Sequence, residues 1–184
     1  SERASPLSFA GPKRVVPPAP GLDALPHIDA VVISHNHYDH LDLDSVTRLA
    51  AQPGGSPRFF VPLGLKAWFS RQGIEDVVEL GWWQSRSLNG LEVHFVPVQH
   101  WSKRRLDDAN QTLWGGWVVE GEGLRLIHTG DTGYSRDFAE IERGFVQREV
   151  GLLEGRLELF LGFIRNLQIA AELELVRARG ESEG

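Results

Sequence analysis

The segment Ser34-His35-Asn36-His37-Tyr38-Asp39-His40-Leu41-Asp42 holds the densest chemistry in the chain, with three imidazoles and two carboxylates between His35 and Asp42. His35 and His37 are two positions apart, so an extended backbone turns both to one side, where two ring nitrogens can meet one ion. Asp39 and His40 need a turn to reach a neighbouring site. Two further donors stand where apolar runs end. His100 closes Val96-Pro97-Val98-Gln99-His100, and Asp131 closes Leu126-Ile127-His128-Thr129-Gly130-Asp131. Donors placed where strands run into loops can converge along one edge of a sheet. The chain has no cysteine, which removes disulfides and thiolate sites and leaves imidazole nitrogen and carboxylate oxygen. That donor set suits zinc, with manganese or iron open.

A lone histidine is ordinary on a surface or in a core, and His27, His94 and His128 are read so. His35, His37, Asp39 and His40, clustered directly after an apolar run, are costly to hold together without an ion. Asp131 has a competing reading, because Gly130-Asp131-Thr132-Gly133 also suits a tight turn. Asp29 and Asp42 are the carboxylates expected to orient a ligand imidazole from behind. Lys103, Arg104 and Arg105 follow His100 closely enough to attract a phosphate at the rim, or to form a solvated loop. Trp101, Trp114 and Trp117 either line an apolar groove for an acyl chain or belong to the core, with core favoured.

The elements that must carry these residues follow from the pattern. Asp29 to Ser34 is a short β-branched run of the buried-strand type that ends directly in the histidines. Asp44 can cap a helix through about Ala51. Arg58 to Val61 reads as a strand and Leu63 to Gln72 as a helix stopped by Gly73. Further strands are expected at Val77 to Leu80, Leu91 to Val98, Leu113 to Glu120 and Leu124 to Thr129. Short strands interleaved with short helices indicate a mixed α/β layer fold. Before them, the Pro- and Gly-rich stretch Pro12 to Pro26 reads as an extended loop.

At 184 residues, with 41% hydrophobic and 24% charged, the chain is long enough for one globular domain with its own core. A net charge of -6 argues against a nucleic-acid partner. No apolar run reaches the roughly 18 residues of a membrane span, and no secretory leader is visible. The expected compartment is cytoplasmic, with peripheral membrane contact left open. Methionine is absent, so the sequence is expected to be the middle of a longer one. Composition shifts near Gly144: every Pro, Trp and His lies before it, and the tail uses only Glu and Arg as charged types. The chain is therefore divided into residues 1–143, a metal-binding domain, and a tail, 144–184. Helix is expected from about Val150 to Arg179.

His35-x-His37-x-Asp39-His40, with His100 and Asp131 downstream, resembles the metallo-β-lactamase superfamily. The flanking stretches Arg3-Ala4-Ser5-Pro6, Phe9-Ala10-Gly11-Pro12-Lys13-Arg14, Pro97-Val98-Gln99-His100-Trp101-Ser102 and Thr112-Leu113-Trp114-Gly115-Gly116-Trp117 are similar to bacterial relatives of the N-acyl-phosphatidylethanolamine phospholipase D family, over about Ser1 to Glu142. The resemblance implies an αββα fold, here incomplete at both ends. It implies that His35, His37 and His100 hold one zinc, that Asp39 and His40 hold a second, and that Asp131 bridges them. Asp39 and Asp131 are then the catalytic carboxylates, and Tyr38 faces the substrate. The family pattern has one more histidine beyond the bridging aspartate, whereas this sequence has none after His128. The tail does not resemble the family, and is read as a frameshifted or joined ending or as a genuine alternative one. The implied activity is hydrolysis of a phosphodiester, in a phospholipid or a small molecule, by a hydroxide bridging two zinc ions. A non-catalytic metal-binding fragment and a lactonase-type hydrolase are the alternatives.

Overall fold

A computed structural model describes residues 3–5, 7, 9–16, 21–121 and 123–146. Two sheets form the centre. Strands β1 (Ala30–Val32), β2 (Arg58–Pro62) and β3 (Val77–Leu80) make a parallel sheet in that order. Strands β4 (Ser85–Leu88), β5 (Leu91–Val96), β6 (Gly116–Gly121) and β7 (Leu124–His128) make an antiparallel one. Helices α1 (Leu43–Ala50) and α2 (Lys66–Ser70) are the crossovers of the parallel sheet, and α3 (Asp137–Ile141) follows β7.

Period-two alternation sorts the side chains into layers. In β2, Phe59 and Val61 face α1 and α2, packing with Leu41, Val46, Leu65 and Phe69. Phe60 points the other way and joins Val93, Phe95 and Trp117 of the antiparallel sheet. The far side of that sheet offers Val96 and Val118 to Ile141 of α3. The order is helices, sheet, sheet, helix, which is the αββα arrangement the resemblance implied. Both sheets carry apolar side chains on each face because each is covered twice. The register is Phe59↔Val77 between β2 and β3 and Phe95↔Trp117 between β5 and β6.

The two sheets are tied by a directional bond as well as by packing. Trp117 is fully buried, and its indole Nε1–H donates to the Ile33 carbonyl at 3.0 Å. Ile33 follows β1 and precedes the histidine segment by two residues, so this bond fixes where the parallel sheet delivers His35. Of the three tryptophans read as groove or core, Trp117 is core. Trp114 donates its indole N–H to the Val98 carbonyl at 3.0 Å, and Trp101 is 47% exposed.

Several local expectations change. The cap of α1 is Asp42 rather than Asp44, since the Asp42 carboxylate accepts from the Ser45 amide at 2.9 Å and the Ser45 hydroxyl at 2.6 Å. The helix expected from Leu63 begins only at Lys66, because the chain first turns with Leu65 N–H on the Pro62 carbonyl. Strand β4 was not foreseen, since Ser85, Arg86 and Ser87 lack an apolar face. Its signal was Asn89-Gly90, whose φ values of 50° and 82° make the two-residue primed turn that joins β4 to β5. Within Pro12 to Pro26, Leu22–Ala24 forms one 3-10 turn. After α3 a π-helical turn covers Glu142–Val146, and Phe145 packs on the outer cluster. The expected tail helix lies outside the described residues. No helix among the described residues is long and apolar enough to cross a membrane.

Replacing Trp117 by Phe removes the N–H that serves the buried Ile33 carbonyl. An unsatisfied buried acceptor costs about 1–3 kcal/mol, so urea denaturation of Trp117→Phe is expected to show a loss of at least that order. An unchanged midpoint would contradict the role given to this bond.

Candidate metal centre

The histidine segment leaves β1 at the end where both sheets meet. Ser34, His35 and Asn36 are each no more than 3% exposed. The backbone here is extended, so His35 and His37 fall on one side and Asn36 and Tyr38 on the other. The chain then turns, with the His40 and Leu41 amides both donating to the His37 carbonyl at 3.1 and 2.8 Å. This is the turn that Asp39 and His40 required. Close approach from the antiparallel sheet completes the site. The Gly115 amide donates to the Ser34 carbonyl at 3.0 Å, and Gly130 comes so near that a Cβ there would lie 2.6 Å from that of Ser34. Gly130 also has φ +61°, which other side chains rarely adopt, so the approach of Asp131 depends on this glycine.

Three ring nitrogens converge. His35 Nε2 lies 2.7 Å from His37 Nδ1 and 3.1 Å from His100 Nε2, and the last two are 3.3 Å apart. A tetrahedral ion with bonds of about 2.0–2.1 Å needs ligand nitrogens roughly 3.3 Å apart, so the triangle is close to the size a metal requires. A second group joins His35, His40 and Asp131, with ligand atoms within 4.8 Å of one another. Asp131 Oδ2 is 3.1 Å from His40 Nε2 and 3.9 Å from His100 Nε2, which sets it between the two groups. Asp39 stands at the margin, its carboxylate 3.8 Å from His40 Nε2 and largely exposed.

The electrostatics favour neutral rings. Burial first, and then the neighbouring His40, His37 and His100, push His35 from 6.5 down to about 2. Burial is also the main cause that lowers His37 and His100, and in His100 the nearby Asp131 opposes it. His128, read from sequence as an ordinary histidine, is lowered by burial to about 4. Neutral imidazole is the form that binds a metal. A neutral ring can point at most one N–H at one neighbour, so three ring nitrogens facing one point fit a cation better than they fit one another. His37 Nε2 is buried without a hydrogen-bond partner among the described residues, which leaves Nδ1 as the nitrogen this ring presents.

Ser34 was missed from sequence. Its hydroxyl lies 3.0 Å from His35 Nδ1 and 3.3 Å from His40 Nδ1, behind the nitrogens that face the site. It does the orienting expected of Asp29 and Asp42. Asp42 is engaged in capping α1, and Asp29 is an exposed carboxylate 4.0 Å from His27 Nε2. The only signal for Ser34 was its place between the strand and His35. His27 also faces the Pro53 carbonyl and His94 Nε2 lies 3.0 Å from Glu120, and neither belongs to a donor group among the described residues. Trp101 stands edge-on to His37, with ring centres 4.5 Å apart. Behind the loop, Asn36, Tyr38, Trp68, Arg71, Arg104 and Thr112 help to line a cavity of about 470 Å³. Tyr38 donates its hydroxyl to the Arg104 carbonyl at 3.0 Å.

Comparison with known proteins agrees with this geometry. The model of the beta-lactamase superfamily domain matches residues 4–157. N-acyl-phosphatidylethanolamine-hydrolyzing phospholipase D 1 of Caenorhabditis elegans is 46% identical over 143 residues, covering 73% of this chain and 40% of that protein. The mitochondrial N-acyl-phosphatidylethanolamine-hydrolyzing phospholipase D of Saccharomyces cerevisiae is 36% identical over 141 residues, covering 73% of this chain and 30% of that protein. The chain thus spans two fifths or less of the length of these curated relatives. Among solved structures, an isothiocyanate hydrolase from Delia radicum gut bacteria superposes with a TM-score of 0.53 at 18% identity, covering 79% of this chain and 58% of that one, a likeness of fold. With a family match over most of its length, two abutting sheets in αββα order and a histidine cluster at their common edge, the chain belongs to the metallo-β-lactamase superfamily.

Proposed function

We propose that the chain carries the metal centre of a zinc-dependent phosphodiesterase of the N-acyl-phosphatidylethanolamine phospholipase D type. The observation that carries the reading is the pair of donor groups sharing His35, with Asp131 lying between them. The nematode and yeast phospholipases D, at 46% and 36% identity, support the choice of a phosphodiester among the substrates open to the superfamily.

His35, His37 and His100 would hold one ion, and His40, Asp131 and Asp39 a second. A metal held there supplies an activated water near neutral pH and positive charge for the oxygens of the reacting centre. The chain's own groups prepare for that. With a metal on Nε2, His35 Nδ1 would carry the proton and donate to Ser34 Oγ, which steadies the ring plane. Asp131, half exposed, keeps one face of the centre open to a substrate entering from solvent. Trp101, beside His37 and 47% exposed, offers apolar surface for an acyl chain. Tyr38, expected from the resemblance to face the substrate, would act from the cavity wall behind the loop.

Zinc-loaded protein is expected to cleave bis(p-nitrophenyl) phosphate and N-acyl-phosphatidylethanolamine in mixed micelles. In His37→Ala the rate should fall by about 100-fold or more, since a lost ligand removes charge stabilisation at the reacting centre. Preference for lactones or other carbonyl esters would replace this reading by the lactonase one. Tight zinc binding without turnover of either class would leave only a metal-binding fragment.

The neutral rings also set a pH dependence for the metal-free chain. His35 and His128 titrate at about 2 and about 4 when folded, against 6.5 in the unfolded chain, so below 6.5 the unfolded chain binds more protons. Stability is therefore full above about pH 6.5 and declines as pH falls below it. Urea midpoints in EDTA should be lower at pH 5.5 than at pH 7.5, and equal midpoints would contradict the burial of these rings.

A further inference from the structure

We infer that Arg104 is a positioning residue that sets His100 against His35 and His37, an inference that rests on the metal-centre reading above. The basic triplet Lys103-Arg104-Arg105 was read as a rim that attracts phosphate or as a solvated loop, and Arg104 does neither. Its Nη1 donates to the Asn36 carbonyl at 3.0 Å and to the Leu41 carbonyl at 2.7 Å. These two carbonyls bracket the His37–His40 turn. The guanidinium carbon also lies 4.1 Å from the centre of the Tyr38 ring and 5.0 Å from that of Trp68, so the cation rests against two aromatic faces. The return bond runs from the Tyr38 hydroxyl to the Arg104 carbonyl.

The consequence lies in chain distance. His35 and His37 come from the loop after β1, and His100 comes from the loop after β5, more than 60 residues later. Arg104 is four residues beyond His100 and reaches across to the first loop. It therefore links the two segments that must supply one ion, and does so with directional bonds to backbone that has no freedom to slide. The loop bearing Arg104 has its own supports, since Ser102 donates its hydroxyl to the Thr112 carbonyl and its amide to Asn110 Oδ1, and Asp108 accepts from the Arg104 and Arg105 amides. Loss of the guanidinium should then leave this loop folded but released from the histidine segment. Lysine is a poor substitute, because an ammonium has donors for the two carbonyls but no planar face to lie against the Tyr38 and Trp68 rings. Arg105 is the internal comparison. Its side chain is 74% exposed, and its guanidinium pairs with Asp107 at the surface.

The test is zinc affinity by competition with a chromophoric chelator, together with the visible spectrum of the cobalt-substituted protein, for wild type, Arg104→Met, Arg104→Lys and Arg105→Met. Residues that orient metal ligands typically change affinity by about 10–100-fold, and Arg104→Met is expected to weaken zinc binding within that range and to alter the cobalt bands. Arg104→Lys should recover only a small part of the loss, and Arg105→Met should behave as wild type. Circular dichroism of the metal-free variants checks that the fold is kept. If Arg104→Met does not fold, Arg104→Lys decides. Arg104→Met with wild-type affinity and spectrum, or full recovery by lysine, overturns the inference while leaving the metal centre standing. Wild-type protein that binds no zinc removes the reading of the centre itself, and this inference with it.

Discussion

Neutral imidazoles do not gather by themselves. Each ring nitrogen that gives up its proton presents a lone pair, and three such lone pairs within 3.3 Å of one another repel unless a cation lies among them. Holding that arrangement in a chain that must also fold is the constraint around which the described structure is organised. Burial keeps protons off His35 and favours the neutral form of His37 and His100, so these rings stay in the form that can ligate. Burial alone would leave them free to turn, and the polar atoms behind them prevent this. Ser34 holds His35 and His40 by their far nitrogens, and Gly130 and Gly115 press the antiparallel sheet onto Ser34.

The sheets themselves do a simpler task. β1 and β5 are packed on both faces, so the end of each is a fixed point from which a loop of a few residues can place a ring. β1 emerges beside β2, whose Phe59 and Phe60 are both fully buried but point into different layers. β5 and β7 are second neighbours through β6 in the other sheet, and the Gln99↔Gly133 bridge holds the loops after them side by side. His100 and Asp131 are the next residues but one at most from that bridge. Donors from distant parts of the sequence are thus gathered by ordinary strand pairing, and only the last few ångströms need special bonds.

What could be read from the sequence divides along the same line. The ligand segment was legible because metal chemistry admits few residue types and the spacing of two along a strand has one geometric meaning. The central strands β1, β2, β3, β5, β6 and β7 were legible because fully covered sheets need apolar runs. β4 was not, as its side chains are polar and its place is set by a turn. The supporting groups were the hardest to see. Nothing in local pattern separates Arg104 from Lys103 or Arg105, or shows that Asp42 caps a helix instead of holding a ring. Such residues act across long separations in the chain, and their role exists only once the strands have been paired. Ser34 is intermediate, adjacent to a ligand in sequence yet recognisable only from the two ring nitrogens it faces.

The bond from Trp117 to the Ile33 carbonyl has a consequence for the order of events in folding. It joins residues 84 apart, and it spans the seam between the sheets. The parallel sheet and the β4–β7 meander each form from contacts nearer in sequence, and loop closure favours these first. The seam closes when they dock, and the donor triangle, with His35 and His37 on one side and His100 on the other, comes into being in that same step. Metal uptake by the nascent chain would accordingly report on docking, and a metal present during folding would act on the late, closed state rather than on the separate sheets.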